Sequence, residues 1–154
     1  MNIGDVVEDF TLEDQKGTPR RLSEFLERGP VVLFFYPMAM TKGCTAESCA
    51  FRDIGSEFEA LNVQRIGISG DSVDRQARFS EMHGFDYPLL SDPSRSVAAA
   101  FGVKRIGKLP SKRQTFVIDQ SRRIIGIVRS ETSLSRHPEE SLRIVKDHLA
   151  GTSA

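Results

Sequence analysis

Apolar positions along the chain fall into two periods. Val31 to Tyr36 is an unbroken run of β-branched, aromatic and aliphatic residues, which predicts a strand buried on both faces. Beyond it Phe51, Ile54, Phe58 and Leu61 step by three or four. That is the spacing of one helical face, and it predicts a helix over Cys44–Leu61. Val63–Ser69 returns to strand character. Asp71-Ser72 can cap a helix that reaches His83 and closes at Gly84. Leu89 and Leu90 form a short strand, and Ser94 or Ser96 starts a helix through Phe101, closed by Gly102. Thr115–Asp119 and Ile124–Ser130 pair across Gln120-Ser121-Arg122, and Pro138 suits the first turn of a last helix running to Leu149. Near the N-terminus, Phe10–Leu12 and Thr18–Leu22 make a hairpin over Gln15-Lys16-Gly17. Ser23 then caps a short helix through Leu26, ended near Gly29-Pro30.

Strands that alternate with helices imply parallel pairing with crossover helices, and the late hairpin adds antiparallel strands. The expected fold is α/β, a thioredoxin-like sandwich with a central mixed β-sheet flanked by helices. One domain spans residues 1–150, and Gly151–Ala154 read as a frayed tail.

Charge removes several classes. The chain carries 21 basic and 21 acidic side chains, without the basic excess of a nucleic-acid binder. The N-terminus lacks the basic and apolar regions of a secretory signal, and no apolar run reaches the length of a membrane span. Two cysteines are too few for a disulfide-stapled secreted scaffold. The expected compartment is a reducing cytoplasm, where a cysteine pair is catalytic, redox-active or metal-binding more often than structural.

Those cysteines, Cys44 and Cys49, follow the apolar strand in Phe-Phe-Tyr-Pro-Met-Ala-Met-Thr-Lys-Gly-Cys-Thr-Ala-Glu-Ser-Cys. The strand enters a proline turn at Pro37 and delivers the Cys44 thiol to the first turn of a helix. A thiol there meets unpaired backbone N–H groups and the positive end of the helix dipole. Both favour thiolate, the nucleophilic form. Cysteine redox chemistry is the expectation. Gly67-Ile-Ser-Gly70 matches no phosphate loop or dinucleotide fingerprint. His83, His137 and His148 lie near predicted helix ends and read as surface or capping residues.

Pro37, Thr41 and Cys44 stand in a Pro-x-x-x-Thr-x-x-Cys arrangement that resembles the active-site motif of the peroxiredoxins. Gly-Cys-Thr-x-Glu-x-Cys-x-Phe-Arg-Asp, from Gly43 to Asp53, resembles the Q-type, or bacterioferritin-comigratory, subgroup. Arg113-Gln-Thr-Phe-Val-Ile-Asp119 is similar to the strand that carries the family's active-site arginine. The resemblance implies a thiol peroxidase acting on hydrogen peroxide and organic hydroperoxides, with no metal, haem or flavin.

In that reading Cys44 is the peroxidatic cysteine, Arg113 holds its thiolate and polarises the peroxide, Thr41 hydrogen-bonds the peroxide and Pro37 shields the sulfur from water. Glu47 orients an arginine from the same helical face. Cys49 is the resolving cysteine, and thioredoxin or a similar dithiol protein reduces the disulfide. The implied assembly is a monomer or weak dimer. Two departures stand out: Lys42 where the subgroup commonly has proline, and the apolar Met38-Ala39-Met40, which favours larger or more apolar hydroperoxides. The alternatives are a thiol-disulfide oxidoreductase, disfavoured by four residues between the cysteines and the lack of tryptophan, and a one-cysteine peroxidase or redox sensor.

Overall fold

The computed structural model describes residues 1–107 and 109–153. In chain order the elements are β1 (Thr11–Glu13), β2 (Pro19–Arg21), α1 (Leu22–Leu26), β3 (Val31–Phe35), α2 (Lys42–Asp53), α3 (Gly55–Ala60), β4 (Gln64–Ser69), α4 (Val73–His83), β5 (Leu89–Ser91), α5 (Ser96–Ala100), β6 (Gln114–Ile118), β7 (Ile124–Arg129) and α6 (Arg136–Ser153). They form one seven-stranded sheet in the order β2-β1-β5-β4-β3-β6-β7. β3, β4 and β5 are parallel neighbours, and β6 and β7 continue the sheet antiparallel. The sheet is mixed, as the order of elements implied, and the fold is thioredoxin-like.

β3 lies near the middle and is buried along its whole length. Its alternate residues feed two cores. Val31, Leu33 and Phe35 face Phe25 and Leu26 of α1 with Val97 and Ala98 of α5. Val32 and Phe34, followed by Tyr36, face Cys44 and Phe51 of α2, Phe58 of α3, Phe79 of α4 and Val145 of α6. The Phe34 and Phe51 rings stack with centroids 4.2 Å apart, so the strand before the cysteine motif and the helix carrying it are packed as a unit.

Local caps agree with the sequence in some places and depart from it in others. Ser72 caps α4 by accepting from the Arg75 N–H, and Gly84 closes it in the left-handed conformation. Ser23 caps nothing: α1 starts at Leu22, and Asp9 instead accepts from both the backbone N–H and the hydroxyl of Ser23. Asp92 accepts from the N–H groups of Val97 and Ala98 at the start of α5, where a serine was expected. α6 runs past Leu149 to Ser153, beyond the expected start of the tail, whose last residue, Ala154, lies outside the described residues.

The expected helix over Cys44–Leu61 is two helices, divided at Ile54. In an unbroken α-helix the Phe51 carbonyl would accept from the Gly55 N–H. Here it accepts from Arg65 Nη1 at 2.9 Å. Arg65 is buried and braced by Asp86 and Glu59. A Cβ at position 55 would stand 2.5 Å from the same nitrogen, so only glycine lets the guanidinium in.

Candidate active site

β3 and β6 place the parts of the site. Their register pairs Phe35 with Gln114, which brings the loop leaving β3 alongside the start of β6. Alternation along β6 puts Phe116 and Ile118 in one core and Val117 in the other. Arg113 and Thr115 share the parity of Val117, so they face α2 and α6.

Thr41 is the N-cap of α2 by backbone, and its carbonyl accepts the first helical bond, from Thr45 N–H at 2.9 Å. Its hydroxyl does not cap the helix; it donates to the Met38 carbonyl at 2.8 Å. The N–H groups of the first turn, Cys44 among them, therefore have no side-chain cap. Cys44 is 0% exposed. Pro37 is half-buried and Thr41 exposed.

Arg113 joins the motif from 69 residues away along the chain: its Nη2 lies 3.4 Å from Cys44 Sγ. Its Nη1 donates to Glu47 Oε1 at 2.7 Å. Cys44 and Glu47, three positions apart on α2, thus grip two nitrogens of one guanidinium. Gly43 makes room for it, since a Cβ there would stand 3.1 Å from Arg113 Nη2. The Arg113 backbone N–H donates to Glu131 Oε1, which also takes Arg105 Nη2. Burial works against the Arg113 charge, but Glu47 and Cys44 outweigh it and raise its pKa above the ordinary value. Burial pushes the Glu47 carboxyl up to about 8, against the opposing pull of Arg113.

His137 corrects the expectation that all three histidines lie at the surface or cap helices. It is 0% exposed. Its Nε2 faces the Ser130 carbonyl at 2.7 Å and its Nδ1 the Thr115 hydroxyl at 2.8 Å. A carbonyl only accepts, so the proton sits on Nε2 and Thr115 donates into Nδ1. Burial holds the imidazole below its usual pKa, which keeps it neutral. Glu47 Oε2 stands 3.6 Å from Nδ1 and has no hydrogen-bond partner. His137, Thr115 and Glu131 thus back the site from α6, β6 and the segment after β7. In the sequence only Thr115 gives a sign, through its parity with Arg113.

Cys49 lies further along α2, half-buried, and both thiols are free. Among the described residues no His, Cys, Asp and Glu cluster could hold a metal ion, and no helix is long and apolar enough to cross a membrane.

Comparison with known proteins gives the family. The model of the AhpC/TSA family matches residues 3–127. The crystal structure of peroxidoxin BcpB from Mycobacterium tuberculosis superposes with a TM-score of 0.93 at 54% identity, covering 96% of this chain and 97% of that one. A PrxQ mutant from Xylella fastidiosa gives a TM-score of 0.89 at 31% identity, over 97% of this chain and 98% of its own. Chloroplastic peroxiredoxin Q of Sedum lineare is 36% identical over 139 residues, 89% of this chain and 74% of the plant protein. The chain belongs to the AhpC/TSA family, as a peroxiredoxin of the Q, or bacterioferritin-comigratory, type, and its activity is that of a thiol peroxidase.

Proposed function

We propose that this peroxidase works through Cys44 as the peroxidatic cysteine and Cys49 as the resolving one. The observation that carries the reading is the Arg113 guanidinium, 3.4 Å from Cys44 Sγ and fixed by Glu47 at 2.7 Å. A guanidinium stays charged at any working pH, so it faces both the thiolate and the peroxide oxygens with a dependable positive charge. The Cys44 thiolate attacks one oxygen of ROOH. An S–O bond forms and the O–O bond breaks. The sulfur loses two electrons and becomes a sulfenic acid, and the alkoxide or hydroxide takes a proton and leaves as alcohol or water. The uncapped N–H groups at the start of α2 can donate to oxygen as charge develops there. Thr41, whose hydroxyl proton lies on the Met38 carbonyl, offers lone pairs to the peroxide O–H. Pro37, which has no N–H, shields the sulfur from water. Glu47 orients Arg113.

Cys49 then attacks the Cys44 sulfenyl sulfur; an S–S bond forms and water leaves. Five residues on a helix rise about 7.5 Å, whereas a disulfide needs Cα atoms roughly 4.4–6.8 Å apart. Both cysteines sit inside the intact α2. The helix therefore unwinds locally between them before the bond closes. A dithiol protein such as thioredoxin restores both thiols by exchange through a mixed disulfide, supplying two electrons. The exposed Met38 in the loop before α2 and the half-buried Met40, which packs in the cluster that holds Cys44, support a preference for apolar hydroperoxides, and a monomer or weak dimer in the cytoplasm is the working assembly.

Stopped-flow peroxide consumption by the reduced protein tests this reading, beside Cys44→Ser and Cys49→Ser. Loss only in Cys44→Ser, with a trapped sulfenic acid in Cys49→Ser, is expected. A Cys44→Ser variant that still consumes peroxide in a fast phase would remove it.

A further inference from the structure

The loop between β3 and α2 carries Pro37 and Thr41, and it is strained. Met40 has φ +66°, a left-handed conformation that costs an L-residue with a side chain roughly 1–2 kcal/mol. Such a conformation persists only where surrounding contacts over-determine it. The contacts come from Asp71, just before the cap of α4, and from Arg75 in its first turn, and they reach the motif at Ala39. Asp71 Oδ2 accepts from the Ala39 N–H at 2.7 Å. Arg75 Nη2 donates to the Ala39 carbonyl at 3.2 Å. Arg75 Nε and Asp71 Oδ1 are joined at 2.9 Å. Both polar groups of one buried residue are thus gripped by a single ion pair, in a closed ring.

The ring stands on the ends of the central strands. Asp71 Oδ2 also accepts from the Ser69 hydroxyl at 2.6 Å, and the Asp71 carbonyl accepts from Ser91. Gln76 Nε2 donates to Ser69 Oγ at 3.0 Å and to the Leu90 carbonyl at 2.9 Å, while its Oε1 accepts from the Tyr36 hydroxyl. Ala39 and Met40 pack in the same apolar cluster as Cys44, which is fully buried. The clamped loop therefore helps to cover the sulfur.

We propose that Asp71 and Arg75 are positioning residues for the peroxidase reaction, which by gripping Ala39 hold the Pro37–Thr41 loop over Cys44 and restrict the size of hydroperoxide that reaches the thiol. The proposal rests on Cys44 being the reacting thiol. It adds a determinant of substrate size that lies outside the motif. Neither residue touches the sulfur; both act through the loop. Without the clamp the Met40 strain is released, Thr41 leaves its place, and small substrates lose the fixed geometry while large ones gain room.

Arg75 is the variant of choice, because its side chain is 45% exposed whereas that of Asp71 is 6% exposed and supports folding. Arg75→Leu is made in a Cys49→Ser background, so that one thiol reports. Two pairs of rates are read, each as a ratio: sulfenic acid formation with hydrogen peroxide and with cumene hydroperoxide, and alkylation of Cys44 by iodoacetamide and by N-phenylmaleimide. The alkylation arm does not depend on peroxidase chemistry, so failure of the catalytic reading and failure of the clamp are separable. We expect the hydrogen peroxide rate to fall about tenfold, the scale of one lost hydrogen bond to a charged group. The cumene hydroperoxide rate should fall less, and the maleimide-to-iodoacetamide ratio should rise several-fold. Arg75→Lys should recover part of both effects. A purely structural role would lower the unfolding midpoint and leave both ratios at their parental values. That outcome, or unchanged rates throughout, overturns the proposal.

Discussion

Replacing Gly43 with alanine sets stability against chemistry. Gly43 lies in the first turn of α2 and is absent from the residues with positive φ, so the backbone accepts a side chain. Helix propensity and a smaller unfolded-state entropy should then stabilise the protein by roughly 0.5–1 kcal/mol. The new methyl would stand 3.1 Å from Arg113 Nη2, inside the roughly 3.5–4.0 Å of a comfortable contact. The guanidinium has to retreat by about 0.4 Å on that scale. It cannot do so freely, because Glu47 holds Nη1 at 2.7 Å. The contact that gives way is the longer one, Nη2 to Cys44 Sγ at 3.4 Å. Arg113 would then face the thiolate and the departing oxygen from the wrong position, at a cost of about 1.4–2.7 kcal/mol in the transition state, or roughly 10- to 100-fold in rate. The assay is stopped-flow sulfenic acid formation in a Cys49→Ser background, beside urea unfolding of the same protein. The background matters: a stiffer first turn also slows unwinding of α2, and without Cys49 only the first chemical step is read. A Gly43→Ala protein that reacts at the parental rate would show that the close approach of Arg113 to Cys44 is not what accelerates the reaction.

Two further outcomes follow from the same geometry. Glu47 is held above its ordinary pKa of 4.5, at about 8, by burial. The folded form therefore keeps a proton that the unfolded chain releases; the resulting stability is full below about pH 4.5 and is lost as pH rises towards about 8. The loss is at most about 1.4 kcal/mol per pH unit. Glu47→Gln should flatten that slope in urea titrations of the reduced protein, and parallel curves for the two proteins would refute the assignment. If Cys44 and Cys49 pair as proposed, the unwinding this requires expels Glu47, which lies between them, from its place against Arg113. Hydrogen exchange should then show lost protection over residues 44–49 in the oxidised form alone, and equal protection in both forms would rule out unwinding.

Much of the scaffold was legible because it depends on near neighbours. The apolar run of β3, the step of Phe51 and Phe58, the Ser72 cap and the Gly84 stop each rest on a few adjacent residues, and each appears in the structure at or near its expected position. The family motif likewise lies within one strand, one turn and one helix. Where local reading failed, a distant side chain had intervened. Arg65 takes the Phe51 carbonyl and divides the helix at Ile54. Asp9 occupies Ser23, so that the serine caps nothing.

By itself the sequence determined the order and type of the elements, apart from the break that divides α2 from α3, the placement of Cys44 at a helix start, and the spacing of Cys44, Glu47 and Cys49 on one helix. Those are properties of backbone sterics and side-chain period, which act over a few residues. The family resemblance named Arg113 and Glu47 for the sulfur, but only the tertiary structure decided how they and the residues behind them are held there. The β3–β6 register brings Arg113 to Cys44. α6 lays a neutral His137 behind Glu47, where periodicity gave no more than a histidine near a helix end. The end of β4 and the start of α4 bring Asp71 and Arg75 to Ala39. These contacts join residues tens of positions apart, and burial, which sets the protonation of Glu47 and His137, exists only once the sheet and its helices have packed.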